Sequence, residues 1–348
     1  MSFEKVGITG IAAAVPKIVI LNHELKQIFS PKEIENAIAT TGIQERRFAD
    51  SNTCASDLCI AAANKLLDEM NVDRQSIDVL IFLSQTPDFH SPATAPGLQY
   101  KLGLSKATAS FDINLACSGY VYGLSTAFAY CSIPNVKKVL LLVGETLSKI
   151  TSPKDRATSL LFGDAGTASL IEKNDKSGKS FFSLNSDGSG ENVLQIPAGG
   201  YRKPSSLEAL KEKIYPDGSI RTDEQLFMDG MEVFNFTMNV VPKDIKKVLE
   251  YAGKSHDEID YLVFHQANKY MTDFLAKKVK ISTEKIPYSI QKFGNTSAAS
   301  IPLTIVYALI NRLKTTGLVA FSGFGAGLSW GTALLELNNL YISELVEV

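Results

Sequence analysis

Four segments of this 348-residue chain recur, in the same order, in its second half. Ile77–Phe82 (IDVLIF) returns as Ile259–Phe264 (IDYLVF). The apolar helical stretch after Cys117 returns after Asn295. Val139–Gly144 returns as Leu318–Gly323, and Gly166–Glu172 as Gly331–Glu336. One such echo is weak; four in order point to two similar α/β halves, each a sheet flanked by helices. In that architecture chemistry collects where strands end and helices begin.

The stretch Ala109–Tyr130 is such a junction. Ser110–Asn114 alternates like a short strand, and Val121, Leu124, Phe128 and Cys131 then share one helical face. Cys117 falls between the two, beside Ser118 and Gly119. The first amides of a helix lack internal partners and carry partial positive charge, which biases a thiol there toward thiolate. The competing reading is a small buried cysteine, and this stretch alone does not separate the two. His265 directly follows the strand 261–264, where a structural cap is the commoner use. Asn295, in Gly294-Asn-Thr-Ser-Ala298, reads first as a helix cap. Gly323-Phe-Gly-Ala-Gly327 is a glycine loop that either aims amides at an oxyanion or simply turns.

Elsewhere the pattern predicts strands at 6–13, 78–84, 139–143 and 167–172, and helices at 55–70 and 229–251. Residues 163–166 read as a turn and 197–221 as an excursion over the surface. A net charge of −2 gives no case for nucleic-acid binding. Four cysteines without CxxC spacing and four scattered histidines argue against a metal site or a disulfide framework. No secretory leader and no apolar run of membrane-spanning length is present, so the expected compartment is the cytoplasm, without membrane insertion.

If Cys117, His265 and Asn295 meet, Cys117 attacks an acyl carbonyl while the other two donate to an oxyanion or enolate. The same residue order describes a papain-like protease, but its local cysteine signature is absent and the duplicated α/β pattern is wrong for it.

At this point the chain closely resembles the thiolase-fold condensing enzymes of the β-ketoacyl-acyl-carrier-protein synthase III type. The resemblance rests on Thr41-Gly-Ile43 with Arg46, Ala116-Cys-Ser-Gly119, Phe162-Gly-Asp164, His265-Gln-Ala-Asn268, Gly294–Ser300 and Gly323–Gly331. It implies a duplicated five-layer α-β-α-β-α fold, usually a homodimer, with residues 1–175 carrying the cysteine and 176–348 the histidine and asparagine. It implies Cys117 as the acylated nucleophile, and His265 and Asn295 as the pair that steadies the enolate when a malonyl thioester loses carbon dioxide, with the neutral histidine as a donor. Cys117, Gly325 and Ala326 supply the oxyanion hole. Arg156 and Asn268 hold coenzyme A or the carrier's arm. Partners are an acyl thioester, malonyl-acyl-carrier protein and the carrier protein itself, and no cofactor is called for. Lys269, Lys277 and Lys278 offer a basic patch for an acidic carrier.

The chain departs from well-known members at Asn36 and Thr40, where many carry tryptophan and arginine for the adenine, and at Tyr270, where an arginine is linked with carrier docking. These departures leave open a specialised condensing enzyme with another acyl donor. Two other readings stay open: acyl transfer or hydrolysis without condensation, and a silent carrier-binding partner subunit.

Overall fold

The architecture follows from strands that are apolar on both faces. In the computed structural model, which describes residues 1–313 and 316–348, strand β1 is Val6–Val15, β2 Val79–Leu83, β3 Ala109–Ile113, β4 Lys138–Thr146 and β5 Asp164–Lys173. The first sheet runs β1-β5-β4-β2-β3; β1 and β4 lie antiparallel to β5, and β4, β2 and β3 run parallel. The second sheet joins β6 (Ser180–Ser186), β9 (Ser329–Asn338), β8 (Thr316–Gly325) and β7 (Tyr261–Phe264) in that order and with the same senses. The four echoes are therefore β2 with β7, β4 with β8, β5 with β9, and two helices. The termini cross over: Ser2–Phe3 pairs with β6, and short strands at 341–342 and 346–347 pair with β1.

Helix α1 is Pro31–Thr41, α2 Ala55–Glu69, α3 Thr94–Lys101, α4 Gly119–Cys131, α5 Gly230–Ala252, α6 Lys269–Lys278, α7 Ile290–Phe293 and α8 Ser300–Leu309. Neither α4 nor α8 carries a charged residue, and both are buried between the sheets, as an all-round apolar helix must be. Val79, Ile81 and Leu83 face that central layer, while Leu80 and Phe82 face α2 and α3. Helices α5 and α6 cover the outer face of the second sheet. The layers are thus α-β-α-β-α, as expected.

Three local expectations change. The 163–166 turn is already strand from Asp164. The glycines at 323 and 325 lie in β8 rather than in a loop, on one face of it because side-chain direction alternates. The 197–221 segment is only partly a surface excursion. Its Arg221 is buried, paired with the fully buried Asp155 at 3.2 Å and stacked on Tyr215, with its centre 3.6 Å from the ring. Among the described residues no helix is long and apolar enough to cross a membrane.

Candidate active site

A cavity of about 70 Å³ opens between the halves, and Cys117, His265, Asn295, Asn268 and Gly325 all line it. Its walls are apolar: Leu161 and Phe162 from the first half, Leu194 and Met228 from a two-stranded ribbon, Val233 from α5 and Met271 from α6. Apart from Phe162, those wall residues were not singled out from the sequence, because the walls come from five separate segments.

Cys117 is delivered by β3 and sits just ahead of α4. Gly119 lets that helix start against Leu83, where a Cβ would stand 2.5 Å from the leucine. The strand β8 presses on the same residue: a Cβ at Gly325 would lie 2.7 Å from Cys117 Cβ and 3.1 Å from its sulfur. That proximity is why the position needs glycine. The sulfur has one side-chain polar neighbour among the described residues, the Ser297 hydroxyl at 3.5 Å. Burial pushes the thiol up to about 12, against the pull of Ser297 and of the Cys117 amide, and the Glu145 carboxyl adds to the rise. The resting group is thus a thiol. The bias toward thiolate expected from the helix start is outweighed by the loss of water.

His265 follows β7 and is fully enclosed, its ring edge-on to Phe324 at 5.4 Å. Burial holds it down to about 3, so it is neutral. Nδ1 lies 3.1 Å from the Ser297 carbonyl and 2.8 Å from Ser300 Oγ, while Ser300 donates to that same carbonyl at 2.7 Å. A carbonyl only accepts, so this network assigns the proton to Nδ1. Nε2 is left with a lone pair. Neutral His265 is therefore an acceptor at that nitrogen, which corrects the expectation of a neutral donor.

Asn295 partly fulfils its capping reading, since Oδ1 accepts the Ser297 amide at 2.9 Å. That bond fixes the amide so that its NH₂ end is the one left for the cavity. The Asn295 backbone is stitched to the first half: its amide donates to the Leu161 carbonyl at 2.9 Å and its carbonyl accepts from Gly163 at 3.0 Å. Arg46, buried, supports that seam by donating to Asn22 Oδ1, the Ser159 carbonyl and the Phe162 carbonyl at 2.8, 2.6 and 3.1 Å.

The remaining candidates scatter. Asn268 lines the cavity, but its Oδ1 caps α6 through the Met271 amide at 2.7 Å. Ala326 is not among the lining residues, and its carbonyl accepts from Ser329. Arg156 is not there either: it pairs with Glu33 at 2.9 Å in the first turn of α1. The Ser30 hydroxyl and amide, then Arg156, hold Glu33 down at about 2. Lys269 is paired with Asp273 at 2.6 Å, and Lys278 donates to the Met238 carbonyl at 2.8 Å. Lys277 is exposed at the end of α6.

A duplicated five-layer fold whose halves meet over a buried cysteine defines a class, the thiolase-fold condensing acyltransferases. The comparisons narrow it. The family model for 3-oxoacyl-[acyl-carrier-protein] synthase III matches residues 111–190, and the model for its C-terminal part matches 249–337. A Campylobacter jejuni protein named putative 3-oxoacyl-[acyl-carrier-protein] synthase 3 is 37% identical over 350 residues, covering 99% of this chain and 97% of its own. A Natranaerobius thermophilus β-ketoacyl-[acyl-carrier-protein] synthase III is 38% identical over 97% of this chain and 100% of its own. The crystal structure of a Burkholderia xenovorans 3-oxoacyl-(acyl-carrier protein) synthase matches with a TM-score of 0.94 at 40% identity, over 100% of this chain and 98% of that one. The chain belongs to the 3-oxoacyl-[acyl-carrier-protein] synthase III family.

Proposed function

We propose that the protein is a β-ketoacyl-acyl-carrier-protein synthase III-type condensing enzyme in which Cys117 takes an acyl group and passes it to a malonyl thioester carried by acyl-carrier protein. The carrying observation is the meeting of Cys117, His265 and Asn295 on one cavity, with β8 against the sulfur.

In the first stage the sulfur attacks the acyl carbonyl, forming the C–S bond. The thiol proton passes to Nε2 of His265 and on to the departing thiol. The amides of Cys117 and Gly325 are the nearest donors for the transient oxyanion; Ala326 is less favoured, being off the cavity. In the second stage the malonyl group loses carbon dioxide, and its electron pair forms an enolate. Asn295 Nδ2 is the ready donor to that oxygen. The enolate carbon attacks the acyl-cysteine, a C–C bond forms, and Cys117 leaves as thiolate. The condensation consumes one proton overall. His265 Nε2 is the open site that carries it, and when charged it is the second donor to the enolate.

A cytoplasmic homodimer belongs to the same reading. It is supported by four free cysteines and by the edge strand β3, which leaves one ladder edge of the first sheet unpaired. The division at 175/176 is supported by sheet membership, the crossed termini aside. Carrier docking at α6 falls to Lys277 and Lys278, since Lys269 is paired with Asp273 while the carbonyl partner of Lys278 leaves its charge in place. Arg156 and Asn268 remain candidates for the coenzyme A or carrier arm, Arg156 only if it leaves Glu33.

The test is intact-protein mass after incubation with a panel of acyl-coenzyme A and acyl-carrier donors, with Cys117→Ala as control. A wild-type adduct absent from the variant, discharged as a β-ketoacyl-carrier on adding malonyl-carrier, is the expected result. Discharge to the free acid alone would favour hydrolysis, and no adduct with any donor would overturn the reading.

A further inference from the structure

Glu145 closes β4 and has no part in the chemistry above. Its side chain is fully buried. Oε2 accepts from the Gln85 amide at 3.1 Å, the Thr86 hydroxyl at 3.4 Å and the Ser84 hydroxyl at 3.5 Å. Oε1 has no hydrogen-bond partner among the described residues. The titratable groups around it are the Cys117 thiol ahead of α4, the Cys59 thiol on α2 and, across Ser297, His265 after β7. Two acids stand on adjoining segments, Asp88 and Asp164, the latter held by Ala49 and Ser148. No ion pair of the described residues neutralises Glu145. Burial pushes its carboxyl up to about 8, so it is a neutral acid at pH 7.

Ser297 links this acid to the nucleophile. Its hydroxyl lies 3.5 Å from the Cys117 sulfur and 3.4 Å from Gln85 Oε1, and it also favours the ionised form of Glu145. A serine hydroxyl has one proton to give. In the resting geometry the sulfur and Gln85 Oε1 compete for it, and Glu145 joins as a third acceptor only on ionising. A neutral Glu145 carries its own proton and needs none. An ionised Glu145 is a charged acceptor, which binds a donor more strongly than an amide oxygen or a thiol sulfur does. Its charge also opposes a second negative charge on the sulfur.

We propose that Glu145 is a positioning residue for acylation, acting through Ser297. As the neutral acid it leaves the Ser297 proton to the Cys117 sulfur; as the carboxylate it withdraws that donor and disfavours the thiolate. The proposal rests on Cys117 being the nucleophile, but its test needs no acyl donor.

The test is the pH dependence of Cys117 alkylation by iodoacetamide, read from the mass of the Cys117 peptide in wild type, Glu145→Gln and Ser297→Ala. Below its pKa an unperturbed thiol gains about tenfold in rate per pH unit, because only the thiolate reacts. The wild type falls short of that rise above about pH 8, where Glu145 ionises. Glu145→Gln keeps rising: it matches the wild type within about twofold near pH 6.5 and runs about three- to tenfold faster near pH 9.5. Ser297→Ala is slower throughout and loses most of the break. Wild-type and Glu145→Gln curves of one shape, separated by a constant factor, would make Glu145 merely structural and overturn the proposal. A wild-type profile with no break between about pH 7 and 9 would do the same without any variant having to fold. A protein that shows the break yet takes no acyl group from any thioester would sink the proposed function and leave this coupling standing. Acylation with no break would do the reverse.

Discussion

The two halves bury opposite kinds of ionisable group behind Cys117, the proposed nucleophile, and hold both uncharged. The first contributes Glu145, an acid raised to about 8, and the second His265, a base lowered to about 3; burial is the main cause in each. Between those values neither carries charge, and Cys117 between them is a thiol. In the proposed reaction developing charge is met first by fixed dipoles, the Asn295 amide and backbone N–H groups, and by His265 only once it has taken a proton. The halves differ also in delivery. A sheet strand leads to Cys117, but no strand leads to Asn295. There the chain makes the short α7 turn and passes through Gly294 at φ +65°, where a Cβ would meet the Leu161 carbonyl at 2.7 Å. The nucleophile is placed by its own sheet, and the donor loop by a seam with the other half.

The sharpest way to break that contrast is at β8, where the second half touches the first. Gly325→Ala drives a methyl into Cys117, and acylation should fall by about 10²-fold, since a misplacement near 1 Å costs that much. Gly97→Ala on the exposed face of α3, with nothing within 4 Å, is the control and should leave the rate unchanged. Equal rates in both would mean that β8 yields freely.

Arg46→Met tests the seam. It leaves Asn22, Ser159 and Phe162 oxygens without their donor, at a cost of about 3 kcal/mol by denaturant unfolding. Malonyl decarboxylation should drop more than Cys117 alkylation, because the seam holds Asn295. Equal losses would show that the two deliveries are not separable.

The buried pair gives opposite pH slopes. An unfolded histidine binds a proton below its ordinary value of 6.5, whereas folded His265 does not until about 3, so stability falls as pH drops across that range. An unfolded glutamate loses its proton above 4.5, whereas Glu145 keeps it to about 8, so stability also falls as pH rises from 4.5 to 8 and then levels. Each slope reaches at most about 1.4 kcal/mol per pH unit. Glu145→Gln should remove the second slope and gain on the wild type between pH 5 and 8. Thermal unfolding across that range checks it, and a constant offset would refute it.

The parts legible in the sequence share a physical cause. Strands buried on both faces read as unbroken apolar runs, so Val139–Val143 and its echo in β8 stand out. Cys117, with a glycine two residues on, marked its junction. The missing edge strand of the second half was less legible. Pro287 lacks the amide hydrogen a ladder needs, and the chain there forms no strand. The Arg221–Asp155 pair spans 66 residues and left no local pattern, so a polar segment read as surface. The tautomer of His265 depends on Ser297 and Ser300, and Glu145 lies just past the apolar run Val139–Val143, with nothing in the sequence to mark it. Only the packed halves turn those residues toward one another.

The smallest expected effect lies outside the contrast, on α6. Of the three lysines of the expected basic patch, Lys269 is neutralised by Asp273, whereas Lys278, which donates to the Met238 carbonyl, keeps its charge. The same helix also exposes two aromatic side chains, Tyr270 and Phe274, both packed on Phe234 at 6.2 Å. A carrier docking here would combine apolar contact with the charges of Lys277 and Lys278, and one rim charge tunes association only modestly. Lys277→Glu should therefore raise the apparent KM for malonyl-carrier by about two- to threefold, with acylation by a small thioester unchanged. Phe274→Ser should do more, and its effect should persist at high salt, whereas that of Lys277→Glu should fade. A larger, salt-sensitive loss from Lys277→Glu would restore the basic patch as the docking surface.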